Sequence, residues 1–177
     1  AYEYAIAIDD TFSSAYFNMA NAYMNLDNPD KALEMYEATL KIEGVSAEIH
    51  CCIGAAYERK GNYDMATSYY RKAVKMDSFF DEAWFGLGFC RYEQERWYEA
   101  LHFFDKAIKL NNSVVGYWKF KAESEFKIGN IVSALESYAQ LITMSPIEVD
   151  TWLDYSFIYY EQGNINKAVA LLLQAIE

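Results

Sequence analysis

Two histidines, His50 and His102, and three cysteines, Cys51, Cys52 and Cys90, are the side chains of this sequence best suited to act as a neutral-pH base, a nucleophile or a soft metal ligand. Their spacing argues against each role. Neighbours on an α-helix point about 100° apart, so His50, Cys51 and Cys52 cannot close on one ion without unwinding it. The cysteines form neither a C-x2-C pair nor a disulfide framework. Aspartate and glutamate number 26, yet no two stand where a regular pattern would bury both in one cleft, as general acid–base catalysis demands. There is no G-x-S-x-G turn and no glycine-rich phosphate loop. We therefore expect no catalytic residue, no metal and no cofactor; by itself the segment does not read as an enzyme.

The charge balance narrows the partners. A net charge of −11 repels phosphate backbones and anionic lipid, which sets aside nucleic acid and membrane surfaces. Most of these acids read as a solvated outer face. No apolar run is long enough to span a bilayer, and there is no signal-peptide pattern. Three free thiols suit a reducing compartment, so a cytoplasmic location is the expectation.

The elements that position these side chains follow from a repeat. Ala32, Ala66, Ala100, Ala134 and Ala168 stand 34 residues apart in one register. Four residues after each comes a large apolar or aromatic residue (Tyr36, Tyr70, Phe104, Tyr138, Leu172), and three further on a mostly small one (Thr39, Ala73, Ala107, Leu141, Ala175). Sixteen residues before each alanine lies a ring (Tyr16, His50, Trp84, Trp118, Trp152), and four after that ring comes Ala20, Gly54, Gly88, Ala122 or Ser156. Apolar positions at i, i+3, i+4 and i+7 make each half of the repeat an amphipathic helix, A and then B. The small residues let A and B approach, so we expect Ala100 to face Gly88 and the ring sixteen residues upstream to fill the wedge. His50 occupies one of those ring positions and reads as packing. Gly61-Asn62, Gly129-Asn130 and Gly163-Asn164 end helix A and cap helix B, and Asn28-Pro29 does so in the first copy. Ser145 to Glu148 predicts a capping box that opens the fifth helix A.

This pattern resembles the tetratricopeptide repeat, W-x2-L-G-x2-Y followed by A-x3-F-x2-A, most closely in Trp84, Leu87, Gly88, Ala100, Phe104 and Ala107. The resemblance covers essentially the whole chain. It implies an all-α fold, a right-handed α-α superhelix or solenoid of stacked antiparallel helix pairs. We expect one array over residues 1–177, with 1–12 as the end of a preceding helix B and repeats at 13–46, 47–80, 81–114, 115–148 and 149–177. Tyr2 and Ala5 fall at the ring and small positions of that preceding helix. Solenoid ends normally carry a polar cap, whereas the fifth helix B holds Leu171, Leu172 and Leu173, so further repeats are expected on at least one side.

In the proteins this chain resembles, the A helices line a concave groove that receives an extended or helical segment of a partner. Chaperone-binding members clamp a C-terminal carboxylate there with Lys, Arg and Asn. Here Asn18, Asn21, Arg59, Lys119 and Lys127 are too scattered to form that clamp. Aromatic residues replace it. Carried onto this sequence, the groove positions give Phe85, Phe89, Tyr92, Phe120, Glu123, Phe126, Asp154, Phe157 and Tyr160, together with Asn18 and Asn21, as candidate partner-binding residues. The implied partner is a protein or peptide segment with apolar anchors and some Lys or Arg. The reading is a non-catalytic interaction scaffold. Its alternatives are a regulatory or targeting part of a larger protein, and a self-assembly module that stacks end to end. Arg91 and Glu125, one repeat apart, replace the usual tyrosine and are expected to pair with each other, with Lys121 as competitor.

Overall fold

The helical periodicity is realised as ten helices in a computed structural model that describes residues 12–175. They are α1 (Ser13–Asn25), α2 (Pro29–Glu43), α3 (Ala47–Arg59), α4 (Tyr63–Met76), α5 (Asp81–Glu93), α6 (Trp97–Leu110), α7 (Val115–Lys127), α8 (Ile131–Met144), α9 (Val149–Glu161) and α10 (Ile165–Gln174). There is no strand among the described residues. The odd-numbered helices are the A helices and start at Ser13, Ala47, Asp81, Val115 and Val149. The segment assigned to a preceding helix B, with Tyr2 and Ala5, lies outside the described residues.

Each helix packs on the next, giving a right-handed α-α superhelix of antiparallel pairs. Alternate helices come closest on the A side, where α5 lies against both α3 and α7. Closer spacing of the A helices puts them on the inner radius of the curve and the B helices on the outer. The five register alanines are the tightest points: Ala32, Ala66, Ala100 and Ala134 are 0 % exposed and Ala168 is 5 %. Each core cluster spans two repeats, as where Ala66, Tyr70 and Ala73 pack with Ala83, Leu87 and Cys90.

The wedge is filled differently from the sequence expectation. A Cβ added to Gly88 would meet the Phe104 ring at 2.5 Å, so the ring four residues after Ala100 is what presses on Gly88. Tyr70 is flanked by glycine twice, since a Cβ on Gly54 would stand 2.8 Å from its ring and one on Gly86, in the next repeat, 2.3 Å. The wedge-filling rings are therefore those four residues after the register alanine. The upstream tryptophans are half-buried and do something else: Trp84, Trp118 and Trp152 each donate the indole N–H to the carbonyl six residues earlier, on Ser78, Asn112 and Pro146, at 2.9, 3.0 and 2.9 Å. Each ties an A helix to the loop before it. His50 is buried, its ring 5.8 Å from Tyr69.

The turns inside the repeats follow the glycine logic. Gly61, Gly129 and Gly163 have φ of 71°, 79° and 73°, which ends helix A in the left-handed region. Asn28, Asn62 and Asn164 then accept a backbone N–H three residues on, from Lys31, Met65 and Lys167, whereas Asn130 makes no such bond. The third repeat has Glu95 at this place with φ 58°, a conformation that disfavours a residue bearing a Cβ. Two other expectations are corrected. The fifth A helix begins at Val149 with no side-chain cap, and Ser145 closes α8 instead, offering its backbone carbonyl to the Glu148 N–H at 3.4 Å. Arg91 does not pair with Glu125. Arg91 reaches Gln94 (2.5 Å) and Glu99 (3.5 Å), while Glu125 accepts from Ser137 Oγ (2.6 Å) with Lys121 3.9 Å away. Both residues point at their own helix B, so an inter-repeat pair is out of reach.

Candidate functional site

The inner face brings four of the named rings together. Phe85 and Phe89 on α5 lie 5.7 and 5.1 Å from Phe120 on α7, and Tyr92 lies 5.1 Å from the same ring. Phe120 is thus the hub. Phe85 is the most deeply engaged, stacked at 4.8 Å on Tyr117 and 5.6 Å from Phe104, so it packs one repeat on the next. All four remain half-buried rather than closed off. Edge-to-face and offset contacts of this kind hold aromatic clusters rigid. A second, smaller contact joins Phe126 on α7 to Phe157 on α9 at 6.3 Å. Tyr160 on α9 is 58 % exposed.

Carboxylates border the rings. Tyr92 Oη donates to Glu123 Oε2 at 2.6 Å, and burial first, then this bond, push the phenol well above its ordinary value. Tyr117 Oη donates to Asp81 Oδ2 at 3.1 Å. Asp154 has its carboxyl raised, first by burial and then by the charge of Glu123, against the opposing pull of Lys119. Two acids so placed share one local field, which a cation brought between them would relieve. On the second repeat, Glu58 accepts from Tyr70 Oη at 2.7 Å and is raised by burial.

The two asparagines stand apart from this cluster. Asn18 and Asn21 lie on α1, two repeats before α5. Asn21 Oδ1 accepts the Tyr36 hydroxyl at 2.5 Å, which commits it to the seam of its own pair. Asn18 lines a polar hollow of about 320 Å³ with Glu43, Ser46 and Glu48. The thiols are withdrawn from chemistry: burial pushes Cys52 up to about 11 and Cys90 up to about 12, and raises Cys51 as well. Among the described residues no group of three or more His, Cys, Asp and Glu side chains is placed to hold a metal ion.

A hollow at the last pair is built by both of its helices, so the helix A positions alone do not reveal it. Leu153, Asp154, Phe157 and Tyr160 of α9 and Ile165, Val169 and Leu172 of α10 enclose about 550 Å³. The leucine run on α10 was its trace in the sequence.

Sequence profiles of the tetratricopeptide repeat match residues 13–44 and 149–177. A third profile, that of subunit 3 of the anaphase-promoting complex or cyclosome, matches residues 59–141. The chain is a tetratricopeptide repeat protein. No curated protein matches it significantly in sequence. Among solved structures, this tetratricopeptide protein is similar to MamA, with 21 % identity over 93 % of this chain and 90 % of that one and a TM-score of 0.81. It is also similar to YrrB, described as a TPR protein with an unusual peptide-binding site (23 % identity, 99 % and 91 % covered, TM-score 0.76). A third is the Cut9–Hcn1 hetero-tetramer of the APC/C, where the chain covers 35 % of its match (15 % identity, 99 % of this chain, TM-score 0.83). At these identities the likeness is one of fold. Among the described residues no helix is long and apolar enough to cross a membrane.

Proposed function

We propose that this tetratricopeptide protein is a non-catalytic scaffold that holds a segment of a partner protein along its A-helix face. The segment's apolar side chains rest on Phe89, Tyr92 and Phe120 and, further along, on Phe126, Phe157 and Tyr160. A lysine or arginine of the segment lies between Glu123 and Asp154. The observation that carries this reading is the half-buried aromatic cluster around Phe120, bordered by Glu123, which accepts the Tyr92 hydroxyl at 2.6 Å. A rigid apolar floor with a charged rim is the usual composition of an interaction site. The peptide site named for YrrB and the complex named for Cut9 support partners of this class. In this reading repeats 13–46, 47–80, 81–114, 115–148 and 149–177 act as one array, in the cytoplasm, where thiols stay reduced.

Peptides selected from a random library on the immobilised chain test the proposal. Phe89→Ala is expected to weaken a selected peptide roughly thirtyfold, the usual loss at a buried anchor, with unchanged helicity, and Lys75→Ala to leave it alone. Affinity unchanged in Phe85→Ala, Phe89→Ala and Phe126→Ala alike moves the site off the groove.

A further inference from the structure

The last turns of two B helices gather positive charge that nothing in the chain neutralises. Arg71, Lys72 and Lys75 close α4, and Lys106 and Lys109 close α6, with no acid among residues 71–76 or 106–110. Among the described residues none of the five enters an ion pair. The nearest acid on α6, Asp105, is taken by Lys121 at 2.7 Å. The helix dipole favours cations at these ends, and in a chain of net charge −11 they make a local field of opposite sign.

One of these ends is also hollow. Ser78, Phe79 and Trp84, at the junction of α4 and α5, meet Lys106, Lys109 and Leu110 of α6 around a space of about 350 Å³. Two bonds fix its wall: the Trp84 indole N–H donates to the Ser78 carbonyl at 2.9 Å, and Asp77 Oδ1 accepts the Phe79 N–H at 2.9 Å. Lys106 Nζ stands 4.1 Å from the centre of the Trp84 ring, which holds its charge beside the hollow. Phe79 is left 78 % exposed, although burying such a ring is worth about 1.5–3 kcal/mol.

The repeat does not require this set. One repeat on, the same register holds Ser113, Gln140 and Thr143 in place of Phe79, Lys106 and Lys109. One repeat back it holds Val45 and His50 in place of Phe79 and Trp84. Helix packing explains residues that recur, and these do not.

We propose that this hollow docks an acidic segment of a partner protein. A bulky apolar side chain of the segment enters between Phe79 and Trp84, and the carboxylates beside it meet Lys106 and Lys109. The volume falls in the range of about 300–1,000 Å³ usual for binding sites. None of the groove rings lines it. This second site goes beyond the scaffold reading: it lies at the B-helix ends and selects a segment of charge opposite to the one that suits the groove.

Fluorescent peptides of the frame Asp-Glu-Asp-X-Glu-Asp-Glu, X being Phe, Leu or Ser, are titrated into the full chain and followed by anisotropy. Saturable binding is expected with Phe or Leu, and roughly tenfold weaker binding with Ser. Phe79→Ser and Lys109→Glu alter exposed side chains and leave folding intact. The first should weaken the Phe peptide roughly tenfold and the second about fivefold, while Phe89→Ala should change nothing. No saturation at millimolar peptide overturns the proposal, as does binding that Phe79→Ser and Lys109→Glu both leave unchanged. Equal binding of all three peptides overturns the apolar anchor. Binding lost with Phe89→Ala but kept in the other two variants puts the peptide in the groove, which overturns this site while the scaffold reading stands. Sedimentation with phosphatidylserine vesicles that Phe79→Ser abolishes makes the occupant a lipid surface, and overturns the acidic segment.

Discussion

Gly86→Ala adds one methyl group where the structure has no space for it. Its Cβ would stand 2.3, 2.5 and 2.6 Å from three atoms of the Tyr70 ring. The ring cannot retreat. Gly54 lies against it from its own repeat, within 2.8 Å of where a Cβ would be, its hydroxyl is held by Glu58 at 2.7 Å, and the residue is 3 % exposed. Overpacking a core of this kind costs ~1–3 kcal/mol, and three sub-contact distances put this site at the upper end. Alanine is the better helix former by about 1 kcal/mol, which leaves a net loss of about 2 kcal/mol. For a chain of this size that lowers the melting temperature by about 4–8 °C. Gly116→Ala is the matched control, since nothing lies within 4 Å of its added Cβ. It should be neutral or stabilising by up to ~1 kcal/mol. Thermal melts by circular dichroism and urea titrations of the two variants read the difference directly. Adding Tyr70→Leu to Gly86→Ala should return part of the loss, because the colliding ring is gone. A Gly86→Ala protein that melts at or above the parent, or a Gly116→Ala protein that falls as far, refutes the packing argument.

Glu125 is the next test. Burial raises its carboxyl, against the pull of the Ser137 hydroxyl and Lys121, so the folded chain holds this proton more tightly than the unfolded one. The stability it contributes is complete below the unfolded carboxyl range, about 4.3, and is lost as pH rises through the raised folded value. Glu125→Gln, which keeps an acceptor for Ser137, should therefore exceed the parent in stability by roughly 1 kcal/mol at pH 7 and equal it near pH 4; the same gap at both pH values in urea titrations would rule this out. The thiols give a chemical test. With Cys52 raised to about 11 and Cys90 to about 12, the thiolate fraction at pH 8 is on the order of 10⁻³ or less. A thiol-specific disulfide reagent should label the native chain slowly and the urea-unfolded chain at once. Prompt, stoichiometric native labelling contradicts the burial assigned to these cysteines.

The sequence determined the architecture because its signal repeats. Five buried alanines in one register, the ring four residues beyond each, and glycine at three helix ends are local requirements that recur every 34 residues, so each copy vouches for the others. Helix A starts and the side that carries the rings were legible for the same reason. Direction of contact was not. Position in the repeat places Arg91 and Glu125 on a helix but leaves open whether each faces its own helix B or the next A helix, and only the stacking angle sends them to Glu99 and Ser137. Gly86 read as a groove position, and tertiary packing puts it against Tyr70 of the preceding repeat. Asn21 read as a free polar contact, and the Tyr36 hydroxyl occupies it. The capping box at Ser145 failed because the helix starts three residues later, where the backbone closes the turn without a side chain. The hollow over Leu172 also belongs to tertiary structure. A space between two helices exists only once their distance is set, and that distance depends on side chains far apart in the chain.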